Sequence, residues 1–348
     1  MAELYEQIGF VENFKNVAWY EDGKVSILDR RVYPYRVEFV VCEKHEEIAD
    51  AIKNMVTQSG GPYVAAMMGM ALAADEAKDL PEDEYKEYIE KAAYTLSHAR
   101  PTTVGHMTEV TKLCKDFIFE SLEAGKSRAE IPDLVREFTV EKEKRDLNKH
   151  MIQGKYVADK IPKGGTFMTQ CYAGAMVAGI LHALREQGKD DVKVICPETR
   201  PYLQGARLTS SLVKQMGFDV TVVTDNMPGY TIKAKNVDLF TAAADVLTLD
   251  GYVVNKIGTF QIALACKYWE IPFICTAAPN KNHPTIDTVK IELRNELEVL
   301  SHLGIKATLD GVKGYYPAFD ITPPKYVDMI ATDKGLFSPY DLAAYFNK

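Results

Sequence analysis

The sequence has no excess of basic residues and no long apolar run, and each absence excludes a class of protein. The 41 Lys and Arg residues are outnumbered by 49 Asp and Glu residues, so the chain lacks the basic surface that non-specific nucleic-acid binding requires. Its longest apolar run, residues 63–74, is too short to cross a bilayer. We therefore expect no nucleic-acid partner and no membrane partner.

The sequence also lacks the cysteine patterns of metal-binding and disulfide-bonded proteins. Its six cysteines form no CxxC pair and no zinc spacing, which is typical of reduced thiols in a cytoplasmic protein. The acidic start MAELYEQIGF does not resemble a signal peptide. None of the seven histidines stands at ligand spacing from a carboxylate. We expect a cytoplasmic location, no metal and no other cofactor.

The composition is that of a soluble globular protein with more than one core. The chain has 348 residues, of which 47% are hydrophobic and 26% are charged. A chain of this length exceeds what one hydrophobic core usually holds. The pattern changes near residue 160, and we predict an N-terminal helical domain over residues 1–150 and a second domain over residues 151–348.

The first predicted domain is mostly helical, with a small β start. Apolar residues recur at helical spacing in three segments, which are residues 46–57, 84–96 and 110–124. Short β-like segments precede them, at residues 17–20, 24–28 and 36–41, with the turn Glu21-Asp22-Gly23 between the first two. The charged stretch 141–150 indicates a solvated helix face.

The second predicted domain alternates strands and helices. Strands are predicted at residues 166–170, 192–196, 219–223, 237–242 and 273–276, and helices at 173–187, 203–216, 228–234 and 256–268. This alternation predicts an α/β fold with a doubly wound, Rossmann-like parallel sheet. Ligands of such sheets bind beyond the carboxyl ends of the strands.

A cysteine and an aspartate stand at two of these strand ends. Cys171 follows the first strand and precedes a helix, whose N-terminus would lower the pKa of its thiol. A small buried hydrophobe is the commoner role of a cysteine. Asp245 follows AAA after the fourth strand, and apolar neighbours would raise the pKa of its carboxyl and suit a general acid. A cap for the next turn is an equally good interpretation of Asp245 alone.

Other segments fit an anionic ligand, although each is weak alone. Asn255 and Lys256 stand at the predicted start of a helix, where N–H donors would suit a phosphate. Gly60 and Gly61 precede an Ala- and Met-rich helix and would let the backbone approach a ligand closely. Arg100, followed by Pro101, also begins a predicted helix. The fingerprint GxGxxG is missing, because the first turn reads CYAGAMVAG, so a nicotinamide dehydrogenase is disfavoured.

Taken in order, these segments resemble the methylthioribose-1-phosphate isomerase family, which is homologous to the regulatory subunits of initiation factor 2B and to ribose-1,5-bisphosphate isomerase. The resemblance covers nearly the whole chain. Its strongest motifs are ETRPYLQGARLT at residues 198–209 and NKIGT at residues 255–259. It also includes the segments at residues 17–34, 51–73, 99–104, 169–174, 224–227, 243–259 and 317–323.

The resemblance implies roles for individual residues. Cys171 and Asp245 would be the catalytic pair, and the sugar phosphate would be bound by a group of residues of both domains, namely Ser59, Gly60, Gly61, Arg100, Gln204, Asn255 and Lys256. The resemblance further implies a homodimer. Cys171 becomes more consistent with a functional role than with a structural one.

Three positions depart from the family pattern. Ser59 stands where the family's isomerases usually have an arginine that contacts the phosphate, Tyr172 replaces the common Asn, and Gln170 replaces the usual His. Loss of an arginine removes a bidentate phosphate partner. We interpret the chain as a divergent member.

The implied activity is that of an aldose–ketose isomerase acting on a 5-modified pentose 1-phosphate, such as 5-methylthioribose 1-phosphate. Asp245 would protonate the ring oxygen, and Cys171 would assist transfer of hydrogen from C2 to C1. An enediol route and a hydride shift both remain open. The alternative function is a non-catalytic subunit that senses a sugar phosphate or nucleotide, as the regulatory subunits of initiation factor 2B would suggest.

Overall fold

The computed structural model describes residues 8–100, 104–302 and 304–347, and its chain divides into two compact units after Asp146. The division falls inside one long helix, Ile131–Ala158. The sequence placed the boundary at residue 150, in the same charged stretch. That the two halves are separate folding domains stays a prediction.

The first unit combines a three-stranded sheet with helices. Its strands are β1 (Trp19–Glu21), β2 (Lys24–Leu28) and β3 (Phe39–Cys42), paired antiparallel in the order β1-β2-β3. Its helices are α1 (Phe14–Val17), α2 (His45–Lys53), α3 (Gly61–Glu76), α4 (Glu82–Ser97), α5 (Val104–Glu123) and α6 (Ile131–Ala158), the last of which continues into the second unit. The predicted helical character of this half is confirmed.

One almost completely buried helix forms the centre of the first core. In α3, thirteen of the sixteen residues are buried, because small Ala and Gly side chains alternate with Met and allow neighbours to pack on every side. Its neighbour α2 buries the predicted stripe Ile48, Ala51 and Ile52. The predicted helix start at Arg100-Pro101 involves residues 101–103, which lie outside the described residues; α5 is described from Val104.

The second unit is built on a seven-stranded sheet. In spatial order its strands are β15 (Gly335–Phe337), β14 (Met329–Thr332), β10 (Phe273–Thr276), β7 (Leu239–Ala243), β4 (Thr166–Thr169), β5 (Lys193–Pro197) and β6 (Asp219–Val223). All neighbours are parallel except β14 and β15. The chain starts in the middle, at β4, moves outward to β6, and then returns to β7 on the other side of β4. This is the doubly wound order that the alternating pattern predicted.

Helices connect these strands, and smaller sheets lie outside the main one. The helices are α7 (Gly174–Glu186), α8 (Ser210–Gln215), α9 (Pro228–Ala234) and α10 (Thr259–Tyr268). A second sheet contains β8 (Val246–Leu247), β9 (Val253–Lys256) and β13 (Phe319–Thr322), in the order β13-β9-β8, and β11 (Ser301–His302) pairs with β12 (Ile305–Lys306). The sequence patterns missed the small sheet, because its strands are short and lie between turns.

One of the predicted helices is confirmed, and another begins later than predicted. The segment predicted as a helix at 203–216 is helical over residues 204–215, of which Gly205–Thr209 is π-helical and is followed by the short α8. The predicted helix 256–268 begins only at Thr259, because Gly258 adopts a φ of 106° that ends the preceding strand. Such a φ lies in the left-handed region that favours glycine.

Candidate functional site

Cys171 and Asp245 lie at the point where the strand order of the main sheet reverses. Cys171 follows β4, and Asp245 follows β7, its direct neighbour. Thr169 and Thr241 are paired across these two strands, so both following loops leave the same edge of the sheet. This is the crevice in which doubly wound proteins bind their ligands.

The Cys171 thiol is less acidic than the sequence suggested. Its backbone has a φ of 63°, and the helix N-terminus that was expected to act on it begins only at Gly174. Burial raises the pKa of the thiol to about 11, and the charge of Asp245 adds to the rise, whereas Lys256 opposes it. The expectation of a lowered pKa is therefore wrong, because desolvation outweighs the nearby positive charge of Lys256.

Lys256 lies on a strand and not at a helix start. It is the last residue of β9, is 6% exposed, and its ammonium lies 4.3 Å from the centre of the Phe319 ring. Burial lowers the pKa of Lys256, and the neighbouring Cys171 and Asp245 oppose that shift. The N–H groups of Gly258 and Phe260 at the following helix start donate to the carboxylate of Asp320. The phosphate site expected from free N–H donors there is thus occupied by a side chain of the protein.

Asp245 lies beside β9. Its backbone N–H donates to the carbonyl of Val254 over 2.9 Å, immediately before Asn255 and Lys256 in that strand. Its charge raises the pKa values of both Cys171 and Lys256, so Asp245 lies near enough to both to interact electrostatically. Asp245 is exposed, however. The sequence predicted apolar surroundings for the Asp245 carboxylate, and this prediction is wrong. The preceding alanines pack against the sheet, whereas Asp245 is exposed.

Two polar side chains near this edge are buried. Asn255 is 6% exposed, and its Nδ2 donates to the Thr259 hydroxyl over 3.0 Å. Gln204 is 4% exposed, and its Oε1 has no hydrogen-bond partner in the described structure. A buried unpaired acceptor is costly, so Gln204 is suited to receive a hydrogen bond from a ligand hydroxyl.

The remaining predicted binding residues belong to the first unit. Ser59 and Gly60 are exposed, Ser59 has a φ of 59°, and Gly61 begins α3. A Cβ on Gly61 would lie 1.9 Å from the Thr57 hydroxyl, whereas a Cβ on Gly60 would meet nothing within 4 Å. Gly61 is therefore required by packing, and Gly60 leaves open space above the loop. Arg100 is half-buried at the end of α4.

Arg294 belongs to the same surroundings, although no sequence motif pointed to it. Its side chain is 8% exposed and pairs with Glu292 through Nε and Nη2, at 3.1 and 3.2 Å. Its charge acts on the thiol of Cys171 and on the ammonium of Lys256. Arg294 lies in an irregular, charge-rich segment, so neither helical nor strand periodicity marks it.

A cavity of about 290 Å³ lies in the second unit, next to these charges. It is lined by seven residues, namely Arg200, Pro201, Ile257, Val299, Tyr315, Tyr316 and Pro317. Ile257 directly follows Lys256, and the Tyr316 phenol is affected by the charges of Arg294 and Cys171. Its volume is close to that of small-molecule sites.

One group of possible metal ligands is found in the described part of the chain. His45, Glu46 and Glu76 offer ligand atoms within 4.8 Å of one another. His45 binds Glu76 through both its backbone N–H (2.9 Å) and its Nδ1 (3.2 Å), and the Tyr88 hydroxyl also donates to Glu76. The expectation that no histidine pairs with a carboxylate is therefore wrong, because His45 and Glu76 come together at the start of α2 from positions far apart in the sequence. None of the described helices combines the length and apolarity that a membrane crossing requires.

Comparison with known proteins gives consistent matches over most of the chain. The profile of the initiation factor 2 subunit family matches residues 58–339. The methylthioribose-1-phosphate isomerase of Acetivibrio thermocellus is 33% identical over 335 residues, covering 92% of this chain and 96% of that protein. The Thermotoga maritima protein of the same name is 34% identical over 337 residues, with coverages of 93% and 95%.

Solved structures agree with the sequence matches. The 5-methylthioribose 1-phosphate isomerase of Pyrococcus horikoshii has a TM-score of 0.85 at 28% identity, covering 98% of this chain and 97% of that chain. Subunit delta of translation initiation factor eIF-2B from A. fulgidus has a TM-score of 0.79 at 30% identity, covering 93% and 96%. The chain therefore belongs to the initiation factor 2 subunit family and, within it, to the methylthioribose-1-phosphate isomerase family of aldose–ketose isomerases.

Proposed function

We propose that this protein converts a 5-modified pentose 1-phosphate, such as 5-methylthioribose 1-phosphate, to the ketose 1-phosphate, with Asp245 as acid/base and Cys171 as the group that assists hydrogen transfer. The observation that carries the proposal is geometric: Cys171 and Asp245 follow the paired strands β4 and β7 at the reversal of the strand order, and the Asp245 backbone bonds to β9 beside Lys256. The names of the relatives support the same chemistry.

The chemistry follows from the structure of the substrate class. Phosphate esterifies the oxygen at C1, so the ring cannot open to a free aldehyde, and the ring oxygen must be protonated as its bond to C1 breaks. Asp245 is the proposed proton donor, and its exposure lets it be reprotonated from solvent. Hydrogen then moves from C2 to C1, and the proton of the C2 hydroxyl returns to a base such as the Asp245 carboxylate, leaving a ketone at C2.

The state of the thiol favours one route for this hydrogen. With a pKa of about 11, the Cys171 thiol is protonated near neutral pH. A protonated thiol is not a base for the C2 proton, so the pKa favours a hydride shift over an enediol. Cys171 then acts as a neutral hydrogen-bond donor beside the reacting carbons.

Substitution of the two proposed catalytic residues tests the function. We expect Cys171→Ser and Asp245→Asn to lower kcat by about 10³-fold or more on 5-methylthioribose 1-phosphate, a loss typical of acid–base residues. The matched controls are Cys266→Ala, a buried cysteine of α10, and Asp287→Asn, an exposed aspartate. Both should retain activity. Absence of turnover on a broad panel of pentose 1-phosphates, with sugar-phosphate binding retained, would favour the sensing subunit instead.

We also propose an oligomeric state and a cellular location for this protein. The protein would act as a cytoplasmic homodimer, without nucleic acid, through contacts of its α/β half. The resemblance to the isomerase family is the support for the dimer. The edge strand β6 of the main sheet is exposed at Val222, and exposed edges of this kind can be covered by a partner chain.

The three departures from the family pattern bear on the same proposal. Ser59 offers an exposed hydroxyl where an arginine is usual, and a Cβ on the neighbouring Gly60 would meet nothing within 4 Å. Gln170 donates from Nε2 to the carbonyl of Ile257, and Tyr172 is buried. The proposed substrate phosphate therefore needs a cationic partner other than residue 59.

A further inference from the structure

Two buried cations lie on the same aromatic ring next to Cys171. The Lys256 ammonium lies 4.3 Å from the centre of the Phe319 ring, and the Arg294 guanidinium carbon lies 5.7 Å from it. Both side chains are more than nine-tenths buried. Two like charges brought together out of water repel each other, and an anion close to both offsets this repulsion.

The protein supplies part of the compensating charge but not all of the hydrogen-bond acceptors. Glu292 accepts hydrogen bonds from Nε and Nη2 of Arg294. The remaining nitrogen of the guanidinium group is Nη1. Nη1 is buried and makes no hydrogen bond of good geometry in the described structure, although the Arg294 side chain lies close enough to the Tyr316 hydroxyl to oppose the rise in the pKa of that phenol. The Tyr316 hydroxyl and Glu298 Oε2 are also buried without partners.

The acidic side chains near Lys256 and Arg294 do not accept a hydrogen bond from Nη1 of Arg294. Asp245 and Glu292 both favour the charged form of Lys256, and Glu298 accepts a hydrogen bond from Tyr202 through Oε1. If Asp245 enters the reaction protonated, Glu292 is left to balance two cations. A buried guanidinium N–H without an acceptor lowers the stability of the folded protein. In a binding site the same N–H can donate a hydrogen bond to an anionic ligand.

We propose that Arg294 is a phosphate-binding residue, whose Nη1 acts together with the Lys256 ammonium on the phosphate group of the substrate. The proposal rests on the proposed function for the identity of that substrate. Glu292 is a positioning residue, because its two oxygens fix the plane of the guanidinium. The cavity that contains Tyr316 and Ile257 then lies beside the phosphate and would take part of the sugar.

The test measures binding of inorganic phosphate separately from turnover. The variants are Arg294→Met, which removes the donor and the charge, and Arg294→Lys, which keeps the charge but cannot bind Glu292 and phosphate through one planar fork. The control is Lys290→Met, which removes an exposed positive charge four residues away. Phosphate binding is measured by calorimetry and by competitive inhibition, and folding is checked by circular dichroism.

We expect Arg294→Met to weaken phosphate binding at least about 10-fold, as loss of a charge-assisted hydrogen bond should. Arg294→Lys should weaken it less, and Lys290→Met should leave it unchanged. With substrate, KM should rise more than kcat falls. If Arg294→Met does not fold, the comparison of Arg294→Lys with the unaltered protein decides.

The possible failures are distinguishable. Unchanged phosphate affinity in folded Arg294 variants of an active isomerase would overturn the role of Arg294 and leave the proposed function intact. A fall in kcat alone, with phosphate affinity unchanged, would likewise overturn it and place Arg294 on the reacting oxygens. Arg294-dependent phosphate binding without any isomerase activity would support the role of Arg294 and contradict the proposed function.

Discussion

Cys171 shows how a single residue can be located from sequence while its chemistry is set by its surroundings. Its place after the first strand of the alternating half was predictable, because strand ends of parallel sheets meet ligands. Its backbone φ of 63° is rare for a residue other than glycine, asparagine or aspartate. Such strain is retained where the surrounding structure fixes it, often at functional sites. Here Thr209 anchors the segment by donating its hydroxyl to the Cys171 carbonyl.

The protonation state of Cys171 yields a prediction about the reaction route. A thiol whose pKa is raised to about 11 is protonated below that pH and becomes a thiolate only above it. Between pH 6 and 9 we therefore expect no increase of kcat that tracks thiol ionisation. With substrate carrying deuterium at C2, most of the deuterium should appear at C1 of the product, measured by NMR.

Exchange of that deuterium with solvent would contradict the hydride route. It would show that a base removes the C2 hydrogen as a proton. The control for solvent exchange is deuterated product incubated with the Cys171→Ser variant, in which no enzymatic loss of deuterium should occur.

At the scale of elements, the segment after β5 determines how Gln204 is presented. Thr199 has a φ of 64°, which is unusual for a β-branched residue. Asp225 holds it there, because its carboxylate accepts the N–H groups of Thr199 and Arg200 at 2.8 and 2.7 Å. The chain then enters a π-helical segment at Gly205. Such segments are rare and are frequent at functional sites.

Gly205 is the residue on which this element depends. A Cβ there would lie 1.8 Å from the Pro197 carbonyl oxygen. We expect Gly205→Ala to destabilise the protein by about 2 kcal/mol or more, as overpacking does, and to lower kcat/KM by displacing Gln204. Thermal unfolding and steady-state kinetics measure the two effects.

The matched control is Gly229→Ala, because a Cβ on Gly229 in α9 would meet nothing within 4 Å. Alanine favours a helix over glycine by about 1 kcal/mol, so this variant should be as stable as the parent or more stable. An unchanged melting temperature for Gly205→Ala would show that the segment can move to admit a methyl group.

At the scale of the whole molecule, each unit carries its own hydrophobic core and its own tryptophan. The chain has two tryptophans. Trp19 packs against the core of the first unit, and Trp269 packs against a core of the second, where its indole N–H donates to the Gly229 carbonyl over 2.8 Å. Each ring is therefore a reporter of one unit.

Single-tryptophan variants test whether the units are separate folding domains. In Trp19→Phe the fluorescence reports the second unit, and in Trp269→Phe it reports the first. We expect the two urea midpoints to differ from each other, because separate cores need not unfold together. Far-UV circular dichroism of each variant provides the control for loss of all structure. Coincident midpoints by both probes would contradict separate domains and indicate one cooperative unit.

The sequence by itself determined the fold class and the strand ends at which the site lies. Helical spacing predicted the first half, and alternation predicted the parallel sheet with Cys171 and Asp245 beyond its strands. Both signals are periodic and local, so they can be read without knowledge of distant contacts.

The tertiary structure alone decided the electrostatics of the site and some of its members. Burial raised the pKa of Cys171 against the expected effect of the helix, a positive φ at Gly258 left Lys256 on a strand, and Asp245 turned outward. Arg294 came to the site from an irregular segment far along the chain. Desolvation and the pairing of charges depend on what surrounds a group in space, and sequence spacing does not carry that information.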